Sequence, residues 1–134
     1  MIRAAIAGAL VALVAACAPA AAHPSDEKTV VIEVRNSHFS LAALDVKAGD
    51  TVRFVVHNLD PIDHEFILGD DDVHRRHAEG VERVHHGDVS GEVSVAPRME
   101  VSTVYLFDSP GQLLFACHLP GHFQYGMSGV VTVR

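Results

Sequence analysis

The stretch FACHLPGHFQYGM, residues 115–127, places a cysteine, two histidines and a methionine within thirteen residues. Cys117, His122 and Met127 follow one another at the spacing C-x4-H-x4-M. The Pro-Gly pair after the cysteine fixes one backbone dihedral and permits a tight bend, so the chain folds back on itself. Both later side chains can then face the thiol, which predicts a loop that gathers soft metal ligands.

One more ligand from elsewhere would complete the site, and His64 is the best candidate. It follows the turn sequence NLDPID and opens the apolar run EFILG. The rivals are His38 and His57, of which His57 lies inside a β-run.

Two imidazoles, one thiolate and one thioether form the donor set of a blue-copper electron-transfer site. Structural zinc prefers two or more thiolates, and a haem site needs C-x-x-C-H, which is missing. A catalytic Cys-His pair gains nothing from a methionine ten residues later. The predicted cofactor is therefore one copper ion that cycles between Cu(I) and Cu(II).

The chain outside this loop alternates apolar and polar residues in short runs, as strands do. Gly, Pro, Asn and Asp turns separate seven or eight such runs. This pattern predicts an all-β Greek-key sandwich. The runs cover residues 29–36, 39–50, 51–58, 64–69, 91–97, 99–107, 112–117 and 129–134.

Residues 70–90, DDDVHRRHAEGVERVHHGDVS, are too polar and too long for a further strand, so we predict an insertion with a helix over residues 73–84. The three aspartates at its start are interpreted as a solvated turn rather than a dock for a basic partner. The insertion contains four histidines: His74, His77, His85 and His86. They could form an accessory copper or zinc site or lie in a solvated loop, and we expect the solvated loop.

Residues 1–22 have the pattern of an export leader, with an early Arg3, a small apolar run and a final Ala-Ala-Ala. The sequence VAAC ending at Cys17 resembles a bacterial lipobox, so a lipid tether and free secretion both stay open. Residues 23–28 are a linker and residues 29–134 the domain. We expect the chain in the periplasm or on the extracytoplasmic face of the membrane.

Composition limits the partners further. The chain carries 10 basic and 17 acidic residues, a net charge of −7, which disfavours nucleic acid and anionic membrane surfaces. Cys117 is the single thiol after the leader, so an internal disulfide is excluded and a metal ligand becomes the better interpretation. We expect a monomer.

The sequence FACHLPGHFQYGMSG closely resembles the C-terminal signature of the cupredoxins, small blue-copper proteins such as plastocyanin, azurin and auracyanin. The stretch LDVKAGDTVRFVVHN is similar to the early strands of that family. The resemblance implies that His64 and His122 are the imidazole ligands, Cys117 the thiolate and Met127 the axial thioether. Glu65 departs from the family, in which Asn or Ser follows the first histidine and steadies the cysteine loop.

The copper loop and this resemblance imply a one-electron carrier rather than an enzyme. Electrons would pass through the exposed edge of His122, and an apolar rim would dock redox partners weakly. His118, next to the cysteine, is expected at the surface or beside the ligands, not as a ligand. The alternative is a periplasmic or cell-surface copper-handling protein, for storage or delivery, which the His-rich insertion favours. The rim consists of Leu119, Pro120, Phe123 and Tyr125.

Overall fold

The structure, a computed structural model, describes residues 27–80 and 84–134. The predicted leader with Cys17 and residues 23–26 of the linker lie outside the described residues. Among the described residues, no helix is long and apolar enough to cross a membrane.

The described residues form one helix, α1 (Asp71–Ala78), and ten strands: β1 (Lys28–Arg35), β2 (His38–Phe39), β3 (Ala43–Val46), β4 (Thr51–Asn58), β5 (His64–Gly69), β6 (His86–Val89), β7 (Glu92–Val95), β8 (Glu100–Leu106), β9 (Gly111–Ala116) and β10 (Ser128–Val133).

The strands form two sheets, which confirms the predicted all-β sandwich. One sheet has the order β2-β1-β4-β8 and the other the order β3-β10-β9-β5-β7-β6. β1 pairs with β4 and β3 with β10 in parallel, and the remaining pairs are antiparallel. The strand count exceeds the predicted seven or eight because the two-residue β2 and the polar β6 have little apolar signal.

Alternation of side chains between the faces of each strand builds the core between the sheets. In β4 one face, formed by Val52, Phe54 and Val56, is buried. Phe115 of β9 packs against Phe66 of β5, with ring centroids 5.5 Å apart. These aromatic rings lie directly before the metal loop, so the core fixes the strand end from which that loop departs.

The Phe115 ring also restricts which residue can lie opposite it in the sheet. Gly129 of β10 pairs with Phe115, and a Cβ at this glycine would overlap the ring. The close approach of this strand to its neighbour therefore requires glycine.

The insertion between β5 and β7 differs from the prediction. The helix spans Asp71–Ala78 instead of residues 73–84. It starts earlier because the Asp70 side chain accepts hydrogen bonds from the N–H groups of Asp72 and Val73 at its N-terminus. It ends before Gly80, whose φ of 69° is left-handed. The aspartates thus begin a helix rather than form a free turn.

The second half of the insertion was also predicted wrongly. His86–Val89 forms β6, although its residues are all exposed and only Val89 is apolar. The backbone of β7 offers a free edge to this segment, and pairing with that edge outweighs the weak strand propensity of the side chains.

Candidate metal centre

The four predicted ligands lie on β5 and on the loop between β9 and β10. His64 is the first residue of β5, Cys117 directly follows β9, and Met127 directly precedes β10. His122 lies between the last two. Because β5 and β9 are hydrogen-bonded neighbours in the six-stranded sheet, the histidine of one strand lies beside the cysteine at the end of the other.

Three of these side chains converge. The ligand atoms of His64, Cys117 and His122 all lie within 4.8 Å of one another. Sγ of Cys117 is 3.2 Å from Nδ1 of His122, and the centroids of the two imidazole rings are 4.9 Å apart. His64 and Cys117 are buried, whereas His122 is half-buried. One edge of the site therefore faces solvent through His122.

Met127 is buried in the same hydrophobic core cluster as Cys117. Its carbonyl accepts a hydrogen bond from the Cys117 N–H at 3.1 Å, and its own N–H donates to the His122 carbonyl at 3.1 Å. The loop backbone is thus closed by its own hydrogen bonds, and the buried thioether is enclosed with the thiol.

A carboxylate orients His64. Nε2 of His64 lies 3.0 Å from Oδ2 of Asp60, while its buried Nδ1 has no hydrogen-bond partner among the described residues. The Nε2–H donates to the carboxylate, so the lone pair of Nδ1 points at the other two ligands. Burial lowers the pKa of His64, although Asp60 opposes this shift, and the neutral ring is the form that binds a metal.

Asp60 is itself fixed by the turn between β1 and β2. Its two carboxylate oxygens accept hydrogen bonds from the N–H groups of Asn36 and Ser37, both at 2.8 Å. Burial alone would raise the pKa of Asp60, but these two N–H groups and His64 hold it below its ordinary value. Asp60 was not among the residues that the sequence pattern predicted. An acid four positions before a ligand histidine, within NLDPID, was the available signal.

Cys117 lies in a site that disfavours its free thiolate. Burial raises the pKa of its thiol to about 11. The Glu65 N–H donates to Sγ at 3.4 Å and partly offsets this effect. The thiolate is the form that binds a metal, so the positive charge of an ion must replace the proton.

Glu65 stands at the position where the family has Asn or Ser, and it also makes a hydrogen bond to the cysteine loop. One oxygen of its carboxylate accepts a hydrogen bond from the His118 N–H at 3.3 Å. A carboxylate thus steadies the residue after the cysteine. Together with its N–H on Sγ, Glu65 holds the cysteine end of the loop at two points.

His118 points away from the thiol towards α1. Its Nε2–H donates to Nδ1 of His74 at 2.8 Å, and its ring stacks on Phe123. Burial, with His74 and His77 close by, lowers the pKa of His118 to about 4. It is therefore a neutral packing residue beside the site.

The other histidines divide into two groups. His38 is exposed, and half-exposed His57 pairs with Glu100 at 2.8 Å, so neither rival of His64 faces the site. The expectation of a solvated insertion was wrong for His74 and His77, which are buried. The sequence pattern missed this because the partners of both rings lie far along the chain: His74 contacts the Leu114 carbonyl and His77 contacts His85.

The residues that converge here fit copper. Thiolate and thioether suit Cu(I), imidazole suits Cu(II), and the unpartnered Nδ1 of His64 is aimed at the group of donors. Three protein donors, those of His64, Cys117 and His122, converge at this point, and Met127 as the fourth ligand stays a prediction.

Comparisons with known proteins agree with this geometry. A protein of Rubrivivax gelatinosus named copper-resistant cuproprotein CopI is 38% identical over 112 residues, which cover 81% of this chain and 67% of that protein. A Pseudomonas aeruginosa protein of the same name is 29% identical over 138 residues, covering 80% of this chain and 76% of that protein.

Solved structures share the fold. A reduced auracyanin from Roseiflexus castenholzii superposes with a TM-score of 0.66 at 21% identity, covering 80% of this chain and 97% of that one. Auracyanin B gives a TM-score of 0.64 at 22% identity, covering 84% and 92%. The family model described as the cupredoxin-like domain matches residues 6–133. The chain belongs to the cupredoxin-like domain family.

Proposed function

We propose that this chain is a copper-handling protein that acts outside the cytoplasm and contributes to copper tolerance. The observation that carries the proposal is the convergence of His64, Cys117 and His122, in a chain related to proteins named for copper resistance. A site of this kind removes copper from solution by binding it with soft ligands.

The residues around the ligands favour retention of the ion. Asp60 keeps His64 in the tautomer that presents Nδ1, and Glu65 holds the cysteine end of the loop. Bound copper would supply a one-electron couple. If Met127 joins the three converging donors, four protein ligands would surround the ion and leave little room for a substrate, which supports a role in binding rather than catalysis.

A second candidate is the one-electron carrier, with redox partners that dock near His122. One observation favours it. Phe123 and Tyr125, beside the half-buried His122, are 41% and 78% exposed. Exposed aromatic rings around a metal ligand suit brief and weak contacts with a partner protein.

Export is part of the proposal. The leader pattern of residues 1–22 and the lipobox-like sequence at Cys17 support a periplasmic or membrane-tethered location. Mass spectrometry of the mature N-terminus distinguishes cleavage after residue 22 from lipidation of Cys17. If the chain is found in the cytoplasm with residues 1–22 still attached, the proposed export is wrong.

Growth of a copper-sensitive bacterial strain tests copper handling. We expect the chain to restore growth in copper, and His64→Asn to lose this effect because one ligand is removed. His57→Asn is the matched control, since His57 faces away from the site. Equal growth with both variants would contradict the proposal.

The same assay separates the two candidates. Tyr125→Lys places a charge on the rim without touching a ligand. For copper handling we expect growth in copper to be unchanged, whereas an electron carrier would transfer electrons to its partner more slowly. Loss of tolerance with Tyr125→Lys, while copper binding stays intact, would favour the carrier.

A further inference from the structure

A second group of ligands lies between α1 and β7, on the far side of His118 from the cysteine. It consists of His77 of α1, His85 before β6 and Glu92 at the start of β7, which we call the α1–β7 cluster. The ligand atoms of these three residues all lie within 4.8 Å of one another. His77 and Glu92 are buried, and His85 is half-buried. None of them belongs to the site of His64 and Cys117.

The three side chains are close enough to bind one ion together. Nε2 of His77 lies 3.0 Å from Nε2 of His85 and 3.4 Å from Oε2 of Glu92. Nδ1 of His85 lies 3.5 Å from the same oxygen, and His85 can offer an ion only one of its two ring nitrogens. Metal–ligand distances of 2.0–2.2 Å in a tetrahedral zinc site require ligand atoms about 3.3–3.6 Å apart. The separation of 3.4 Å between His77 and Glu92 meets this requirement, and the ligand atom of His85 lies within 4.8 Å of both.

With both imidazoles neutral, the hydrogen bonds of the cluster lack one donor. His77 donates its Nδ1–H to the Val73 carbonyl at 2.8 Å, so its Nε2 carries a lone pair. A neutral His85 has one N–H. If this N–H donates to His77, a lone pair of His85 faces the Glu92 carboxylate, and if it donates to Glu92, two imidazole lone pairs face each other at 3.0 Å. A metal cation between the three side chains removes either conflict, as would a second proton on His85, and Zn²⁺ binding distinguishes the two.

The surroundings hold the three ligands as they do in metal sites. His77 donates its Nδ1–H to a backbone carbonyl. Histidines that bind metals are commonly oriented by a hydrogen bond of this kind from the ring nitrogen that does not bind the ion. The backbone of His85 is fixed by two hydrogen bonds to Ser94 of β7. Arg76 lies 3.5 Å from Oε1 of Glu92, so it contacts the carboxylate oxygen that does not face the histidines.

A route to the cluster exists. A cavity of about 410 Å³ opens between α1 and the metal loop, and its walls include His77, His118 and Leu119. A hydrated ion can reach the His77 ring through this opening.

We propose that the α1–β7 cluster binds one divalent transition-metal cation of the Zn²⁺ or Cu²⁺ class, independently of the site at Cys117. Two imidazoles and one carboxylate are donors that such ions accept. Water completes the coordination. This site does not depend on the proposed role in copper tolerance.

Zn²⁺ titration of the chain already loaded with one equivalent of Cu²⁺ tests the proposal. Copper at Cys117 resists displacement because Cu²⁺ binds more tightly than Zn²⁺. We expect calorimetry to show one Zn²⁺ bound per chain, and the ring protons of His77 and His85 to shift in NMR spectra. No Zn²⁺ binding by a chain with an intact copper absorption band would overturn the proposal.

Two variants and one control assign the site. We expect His85→Asn and Glu92→Gln each to weaken Zn²⁺ binding by about tenfold or more. His86→Asn is the matched control, because His86 is the exposed neighbour of His85. An unchanged copper band in all three variants shows that they are folded. Equal Zn²⁺ affinity in the control and both variants would overturn the assignment.

Discussion

Asp60 and His64 form a buried pair in which a carboxylate selects the ligand atom of an imidazole. Oδ2 of Asp60 lies 3.0 Å from Nε2 of His64, and the opposite nitrogen, Nδ1, is left without a partner among the described residues. A buried polar atom without a partner destabilises the fold. The chain tolerates that cost because the orphaned nitrogen is the one that faces Cys117 and His122.

Asp60→Asn should weaken copper binding. An amide has the size of the carboxylate but lacks its charge, and it accepts fewer hydrogen bonds from Asn36, Ser37 and His64. We expect the affinity for copper to fall about 10- to 100-fold, as measured by competition with a chromophoric chelator. Asp63→Asn is the matched control because Asp63 is exposed. Equal affinities of the two variants would contradict the role of Asp60.

Glu65→Ala should loosen the cysteine end of the loop. It removes the acceptor of the His118 N–H, and the free energy of unfolding should drop by about 1 kcal/mol. Hydrogen exchange of the His118 amide should become faster. Glu65→Gln keeps an accepting oxygen and serves as the control. If the amide exchanges equally slowly in all three proteins, the contact does not hold the loop.

The stability of the metal-free chain should fall at high pH because of Cys117. Burial raises its thiol pKa from an ordinary value of 9.0 to about 11, so the native state keeps a proton that the unfolded state loses. The contribution is fully present below pH 9 and is lost as the pH rises to about 11. It amounts to about 3 kcal/mol.

Urea unfolding under reducing conditions checks this dependence. Cys117→Ser has no thiol to titrate, so its unfolding free energy should change less between pH 9 and 11 than that of the parent. Parallel pH profiles of the two proteins would show that burial does not shift the thiol.

Gly129→Ala should destabilise the core next to the metal loop. The added methyl group overlaps the Phe115 ring, and overpacking of this kind costs about 1–3 kcal/mol. Adding Phe115→Leu should recover part of the melting temperature, because the smaller side chain frees the space. Val130→Ala, at an exposed position of the same strand, is the control. Additive effects of the two substitutions would exclude the contact.

The strands could be predicted because their signal is local. In β4 and β5 the apolar pattern marks each element, and the predicted runs of residues 51–58 and 64–69 coincide with the observed strands. The candidate metal loop was equally accessible, since its predicted ligands follow one another within a few residues and two of them, Cys117 and His122, converge with His64 in the structure. His64 could be chosen over His57 because it opens a strand after a turn.

The remaining features depend on contacts between distant segments. The polar strand β6 forms only because β7 presents a free edge, and no local pattern of residues 86–89 reveals it. His77 is buried because His85 and Glu92 lie opposite it, eight and fifteen residues later in the chain. The role of Asp60 requires the turn at Asn36 and Ser37, which belongs to the other sheet.

That turn offers a way to tune the candidate copper site. Asn36 and Ser37 both adopt left-handed backbone angles, with φ of 52° and 56°, which disfavour most side chains. Their N–H groups set the position of Asp60, and Asp60 sets the angle of the His64 ring. Protein engineers could therefore adjust the redox potential of the ion from this surface hairpin, by substitutions that never touch a coordinating atom.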